Sequence, residues 1–447
     1  MGEHKFWATQ PVPQLGDAPP LGDGYIEASK PREEVRQEPY PLPKDFQWST
    51  IDLNDPNQLK EVYELLSSNY VEDDHASFRF QYSAEFLHWA LMPPGHHREW
   101  HVGVRVASNK KLVAFIAGIP MTLRVRENVF HASEINYLCV HKKLRSKRLA
   151  PVLIKEVTRQ CHLKGVFQAI YTAGVLLPTP VSTCRYYHRL LNVPKLVDIG
   201  FTYIPRNMTL ARMIRLNKLP TVPDLSRNNA GLREMEEGDV KQVLSLYTRY
   251  MQRFKMVPVM TESDVRHQFL SGMGKGQRPP GVWKGRREQQ VVWTYVVEDP
   301  RTNRITDFFS FYTLPSTVIG NLKYNTVEIA YLYYYATEVA FSSGAEEDGR
   351  LKTRLQELIS DALIIADQAG FDVFNCLTLM DNNQFLEEFK FGRGDGLLHY
   401  YLYNWRTAPL AGVEAIGGDP VGRGSHIHAL ELNSNFTICS RLIFVYK

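Results

Sequence analysis

Few stretches of this 447-residue chain leave the backbone as little choice as Glu134-Ile135-Asn136-Tyr137-Leu138-Cys139-Val140-His141-Lys142. Ile135 to Val140 has the apolar, β-branched character of a strand end. Lys142-Lys143-Leu144-Arg145-Ser146-Lys147-Arg148-Leu149-Ala150 then forms a basic turn. Pro151 stands where the first turn of a helix tolerates a missing N–H. Val152, Leu153, Ile154, Val157 and Cys161 mark one helical face, and Gly165 supplies a stop. Strand, cationic loop and helix start together suit a pyrophosphate. Amide N–H groups point out of the helix start, the macrodipole favours an anion, and Lys and Arg add charge-assisted hydrogen bonds. Taken alone, the charge run reads equally well as a solvated face.

The same stretch resembles a signature of the glycylpeptide N-tetradecanoyltransferases (N-myristoyltransferases), Glu-Ile/Val-Asn-Phe/Ser-Leu-Cys-x-His-Lys, and departs from it only at Tyr137. That family's second signature, Lys-Phe-Gly-x-Gly-Asp-Gly, stands unbroken as Lys390-Phe391-Gly392-Arg393-Gly394-Asp395-Gly396. Two long motifs in the right order make coincidence a poor explanation. The resemblance is greatest to fungal members and covers roughly residues 4–409.

Composition agrees without adding specificity. The chain is 44% hydrophobic and 22% charged, as a globular protein is, and its length allows two or three domains. A net charge of +4 is too mild for a dedicated nucleic-acid binder. No run of ~18 apolar residues suggests a membrane span, and the first residues lack a signal-peptide core. The five cysteines show no CxxC spacing, which argues for a reducing compartment and against a zinc site or disulfide framework. A cytoplasmic monomer is expected. Gly2 is not itself an acceptor by motif, because Phe6 stands where Ser or Thr is wanted.

Periodicity predicts an α/β protein. A helix is expected over 51–67, strands over 100–106 and 111–126, and another strand over 167–175. Residues 206–225 read as a crossover. A second unit then repeats the order, with a helix over 236–254, strands over 290–297, 307–312 and 327–335, a helix over 351–369 and a strand over 372–377. The stretch 270–288 reads as an exposed loop. The resemblance implies two GNAT-like (acyl-CoA N-acyltransferase) halves related by a pseudo-two-fold, with mixed twisted sheets flanked by helices. It divides the chain into an arm over CoA (1–45), a myristoyl-CoA half (46–205), a peptide half (206–409) and an atypical tail (410–447).

Site residues are implied by the same resemblance. His4, Lys5, Phe6 and Trp7 would lie over the CoA. Tyr137, Leu138, Cys139, Val140, Arg145, Ser146, Lys147, Arg148, Leu149 and Ala150 would hold it. A loop mixing acids with aromatics suits a cleft for a basic peptide. There Tyr70, Asp73, Phe78, Phe80 and Tyr82 match the family's groove, while His75 replaces an acid that many members carry. Gly174, Tyr186, His188, Phe201, Tyr312, Ser316, Tyr331, Asp395 and Leu398 complete the substrate set. Each of these aromatics, read without the resemblance, fits ordinary core packing, and Asp395 between glycines fits a tight turn.

The implied reaction moves a tetradecanoyl group from its CoA thioester to an N-terminal glycine amine. It needs no metal and no prosthetic group. The thioester carbonyl needs an oxyanion hole, assigned to the backbone N–H groups of Tyr137 and Leu138. The nucleophile must be a neutral amine, with a free pKa near ~8, and Asn136 and Thr172 would help hold it. The family's base is the chain's own terminal carboxylate, here on Lys447. The family-like sequence fades after Pro409, so the alternative is an acyl-CoA and peptide-binding module impaired in catalysis. Implied partners are myristoyl-CoA and nascent Gly-initiated proteins met at the ribosome, with no nucleic acid and no membrane span.

Overall fold

The computed structural model describes residues 5–410 apart from 15, 19, 71–76, 228–230 and 277–281. A thirteen-stranded sheet runs through the molecule. Its first half lays Phe46–Thr50, His101–Val106, Leu112–Val125, Asn128–Val140 and Gln168–Ala173 side by side. The second half lays down Val373–Leu377, Ile329–Thr337, Arg304–Thr313, Val292–Asp299 and Leu232–Glu234. Met256–Val259 pairs with the far end of Leu112–Val125. In both halves two antiparallel pairings are followed by one parallel pairing, and a long helix makes the parallel crossover. Those helices are Leu149–Leu163 and Arg350–Gln368. This is the expected two-half, GNAT-like layout.

The halves are exchanged at their junction. Gly392–Tyr403, late in the chain, pairs with Gln168–Ala173 of the first half. Ser182–Leu190, from the first half of the chain, pairs with Val373–Leu377 of the second. The two exchanged strands then pair with each other. Neither was evident from the sequence, where Pro and Gly masked their alternation. Gly394-Asp395-Gly396 is not a free turn but an irregularity inside the strand, where the register shifts between Arg393 and Leu397. The 206–225 crossover holds a two-turn helix, Leu210–Asn217, and a single turn, Asp224–Arg227. The basic turn winds into a 3-10 segment, Lys142–Lys147, and the helix after it opens at Leu149, two residues before Pro151.

Each half also splits along its parallel pair. In the first, pairing between Asn128–Val140 and Gln168–Ala173 stops at Glu134–Ile170. In the second, pairing between Ile329–Thr337 and Val373–Leu377 stops at Tyr331–Asn375. Protein fills the second split. Tyr335 donates to Asn382 Oδ1 at 2.7 Å, and Tyr250 donates to the buried Asp381 carboxylate at 2.8 Å. Arg253 closes on Asp381 at 2.5 Å. Replacing Arg253 by Met strands a buried carboxylate, a loss of about 3 kcal/mol. The unfolding midpoint in urea should fall accordingly, and R253M/D381N should recover part of the loss. Equal midpoints for R253M and wild type would show that the pair does not hold the second split.

Candidate active site

In the first half the split stays open. Past Glu134 the strand Asn128–Val140 keeps only its other neighbour, and that ladder breaks too. Phe115 lies opposite Cys139 and Ala117 opposite Asn136, so Ile116 faces both Tyr137 and Leu138 across a bulge. Tyr137 sits in the left-handed region at φ +57°. That conformation costs a non-glycine residue on the order of 1 kcal/mol, and such strain concentrates at working sites. The bulge sets Tyr137 and Leu138 together opposite Ile116, the kind of local distortion that re-aims backbone groups beside a site.

An apolar cavity with an empty volume of about 740 Å³, part of it open to solvent, occupies this split. Asn136 and Leu138 line it, together with Ile135, Ile154, Val157, Tyr171 and Thr172. The arm closes over one side. Trp7 stacks on Tyr171 at 5.2 Å, and Tyr171 stacks in turn on Tyr401 at 5.1 Å. Tyr403 donates to Gln10 at 3.0 Å, which ties the arm to the exchanged strand. Phe6 meets Trp7 edge-on. Lys5 is exposed, and His4 lies outside the described residues.

The basic segment stands at the mouth of the split. His141 caps it by accepting from Lys143 N, and Arg148 turns left-handed (φ 55°) to start the helix. Arg145 donates to Asn69 O at 2.8 Å, which orients the loop. Lys143, Lys147 and Arg148 make no ion pair with any described residue, so their charge faces outward. The neighbouring cations and partial burial hold His141 below its usual range, with burial the larger effect. Burial pushes the Cys139 thiol up to about 12, so the signature cysteine is no thiolate nucleophile.

The expected groove residues gather on the opposite side of Tyr137. Its ring lies 6.0 Å from Tyr70 and 5.5 Å from Tyr82. The short strand Phe78–Phe80 pairs with Ser316–Val318, placing Phe80 beside Ser316. Phe78 meets Phe201 edge-on, and Phe201 meets His188 in the same way. Tyr312 and Tyr331 stack at 5.4 Å. His188 is held through Nδ1 by Asn375 Oδ1 at 2.7 Å. Burial lowers its pKa against the opposing pull of that bond and of Asp395. Tyr186, Leu398 and Thr172 are buried on the paired strands, and Gly174 follows Ala173, the strand's last residue. Asn136 donates to Glu134 at 2.9 Å. Asp73, His75 and Lys447 lie outside the described residues. Ile116, His162, Phe167 and Gln168 also line the cavity and were not singled out from the sequence. Ile116, Phe167 and Gln168 fall in the expected strands over 111–126 and 167–175, and His162 adjoins Cys161 on the expected helical face, which marked them as core and not as cavity.

The N-terminal-domain model of the myristoyl-CoA:protein N-myristoyltransferases matches residues 25–184, and the C-terminal-domain model matches 198–419. The chain belongs to the N-myristoyltransferase family. It is 52% identical to the glycylpeptide N-tetradecanoyltransferase of Aspergillus fumigatus, over 92% of this chain and 80% of that protein. Against the Mycosarcoma maydis enzyme of the same name it is 51% identical, over 92% of this chain and 67% of that one. The Saccharomyces cerevisiae N-myristoyltransferase solved with bound myristoyl-CoA superposes with a TM-score of 0.86 at 44% identity. That match covers 98% of this chain and all (100%) of that one. In this N-myristoyltransferase a Cβ built on Gly394 would stand 2.5 Å from His188 Nε2 and 2.9 Å from Tyr186 O. Gly394→Ala should therefore push His188 off Asn375 and weaken binding of a Gly-initiated peptide by about tenfold, ~1.4 kcal/mol. Titration calorimetry should show myristoyl-CoA binding nearly unchanged. Equal losses for both ligands would mean that His188 does not serve the groove alone.

Proposed function

We propose that this protein transfers the tetradecanoyl group of myristoyl-CoA to the N-terminal glycine amine of proteins. The observation that carries the mechanism is the bulge at Tyr137–Leu138 standing between an acyl-sized cavity and the rings of Tyr70 and Tyr82. The pyrophosphate lies against Lys143, Arg145, Lys147 and Arg148 at the helix start. The acyl chain fills the split, and Trp7 and Phe6 cover the nucleotide. The peptide amine enters from the Tyr70–Tyr82 side and attacks the thioester carbon. As the C–N bond forms, the carbonyl oxygen takes negative charge and the amides of Tyr137 and Leu138 receive it. The C–S bond then breaks, the amine gives up one proton, and CoA leaves as the thiol. Asn136 and Thr172 hold the amine. The proton acceptor assigned here is the chain's terminal carboxylate on Lys447.

Tyr312, Ser316, Tyr331, His188 and Phe201 form the peptide groove in this assignment, with Asp395 and the acidic residue Asp73 available to a substrate Lys. Nascent chains at the ribosome, a cytoplasmic setting and a monomeric state belong to the same proposal. Four buried free thiols support the reducing compartment.

Single-turnover transfer of labelled myristoyl-CoA to a Gly-initiated octapeptide tests the activity, and binding without transfer in the wild type would overturn it. Two variants separate the steps. Ile116→Ser brings a hydroxyl to the bulge and should cut transfer by about 10²-fold while myristoyl-CoA still binds. Ile116→Val is its packing control. Deleting residues 411–447 should abolish transfer and spare acyl-CoA binding, whereas undiminished transfer would remove Lys447 as the base.

A further inference from the structure

Glu134 is the last residue of its strand to be held on both sides. It lies opposite Ile119 on one neighbour and closes the parallel ladder against Ile170 on the other. Two residues on, Asn136 lies opposite Ala117, and pairing on the other side has already ended. Side chains two apart on a strand leave the same face and can meet. Here they do, with Asn136 Nδ2 donating to Glu134 Oε1 at 2.9 Å. Both residues are buried, Glu134 at 5% exposure and Asn136 at 3%. The bond ties a side chain on the one-sided stretch to one whose backbone is fixed from both sides.

The pair also straddles two cavities. Asn136 lines the apolar one, together with Thr172. Glu134 lines a second, with an empty volume of about 560 Å³, together with Thr122, Asp264, Gln268 and Tyr333. Glu134 therefore backs Asn136 without forming the wall that an acyl chain would touch.

A side-chain amide has a donor end and an acceptor end, and the end that faces an amine decides its effect. A neutral glycine amine carries N–H bonds and one lone pair. An acceptor takes an N–H and leaves the lone pair for the thioester carbon. A donor binds the lone pair and quenches the nucleophile. A carboxylate accepts and does not donate, so it claims the Nδ2 end of Asn136 and assigns Oδ1 to the amine. We propose that Glu134 is a positioning residue, which fixes the Asn136 amide with its acceptor end toward the incoming glycine. The proposal rests on the acyl transfer assigned above and adds to it the group that sets which way Asn136 faces.

The test is a double-mutant cycle read by single-turnover transfer on the full chain, with myristoyl-CoA and peptide affinities measured alongside. Glu134→Gln keeps the shape but offers a donor as well as an acceptor, so the Asn136 amide can turn either way. Transfer should slow by about tenfold while both affinities stay within about twofold of wild type, the split expected when only the reacting geometry is lost. Asn136→Ala removes the group through which Glu134 acts, so adding E134Q to N136A should cost less than about twofold more. An unchanged rate in E134Q, or the same loss with and without Asn136, would overturn the proposal. If E134Q does not fold, N136D and E134Q/N136D decide. N136D sets two carboxylates against each other, whereas the double variant gives the new carboxylate a donor and leaves its second oxygen to accept. Transfer should rise about tenfold from N136D to E134Q/N136D, and no rise would overturn the proposal. A wild-type protein that transferred nothing would overturn the transferase reading as well, whereas wild-type transfer with an additive cycle would overturn the positioning role alone.

Discussion

The parting of Asn128–Val140 from Gln168–Ala173 after Glu134 and Ile170 is the constraint on which the site depends. A parallel pair closed along its whole length would bury its amides in a ladder and leave no room for a ligand between strand and helix. Once the strands diverge, the helix Leu149–Leu163 covers a gap instead of a sheet face. The basic segment that begins this helix then lies at the gap's mouth. The cavity, and the place of the basic segment at its mouth, therefore follow from one lost set of hydrogen bonds.

The second half shows what this device becomes when it is not used. Phe309 lies opposite Tyr335 and Phe311 opposite Leu332, so Ser310 faces Tyr333 and Tyr334 across a bulge in the same place. There the Ser310 hydroxyl donates to Tyr334 O at 2.8 Å and accepts from Tyr334 N at 3.1 Å. The corresponding residue in the first half is Ile116, which has no polar atom to offer. Where the first half carries Lys142–Lys147 before its helix, the second carries Glu346, Glu347 and Asp348. The second split is occupied by Asp381 and Asn382. Bulge, helix start and split are thus each filled or reversed in charge in the second half, and the open cavity lies in the first.

Much of this was legible in the chain because it is local. Strand, cationic turn and helix between Ile135 and Gly165 are contiguous, and their residue types report their roles. The exchanged strands were not legible. Ser182–Leu190 follows two prolines and Gly392–Tyr403 begins with three glycines in five residues, so local propensity argues against both. Their stability comes from pairing with each other and with strands far away in sequence, which no window along the chain contains. The part of the cavity wall made by His162 and Phe167 was hidden for a related reason. His162 and Phe167 flank a helix stop, and only the fold turns that stop back to bring the rings together.

Tyr137 stands between the apolar cavity and the ring cluster on the other face. Strand residues alternate between faces, so Asn136 and Leu138 line the acyl cavity while the Tyr137 ring packs with Tyr70 and Tyr82 on the other face. Its left-handed backbone sits in the bulge opposite Ile116, and its side chain belongs to the ring cluster with Tyr70 and Tyr82. An aromatic ring with or without a hydroxyl can satisfy both demands, because one falls on the backbone and the ring supplies area for the other. A glycine would relax the φ but lose the wall, and a β-branched residue would keep a wall but resist the φ. The residue type at this position is therefore set from two directions, by the conformation the bulge requires and by the packing the ring cluster requires.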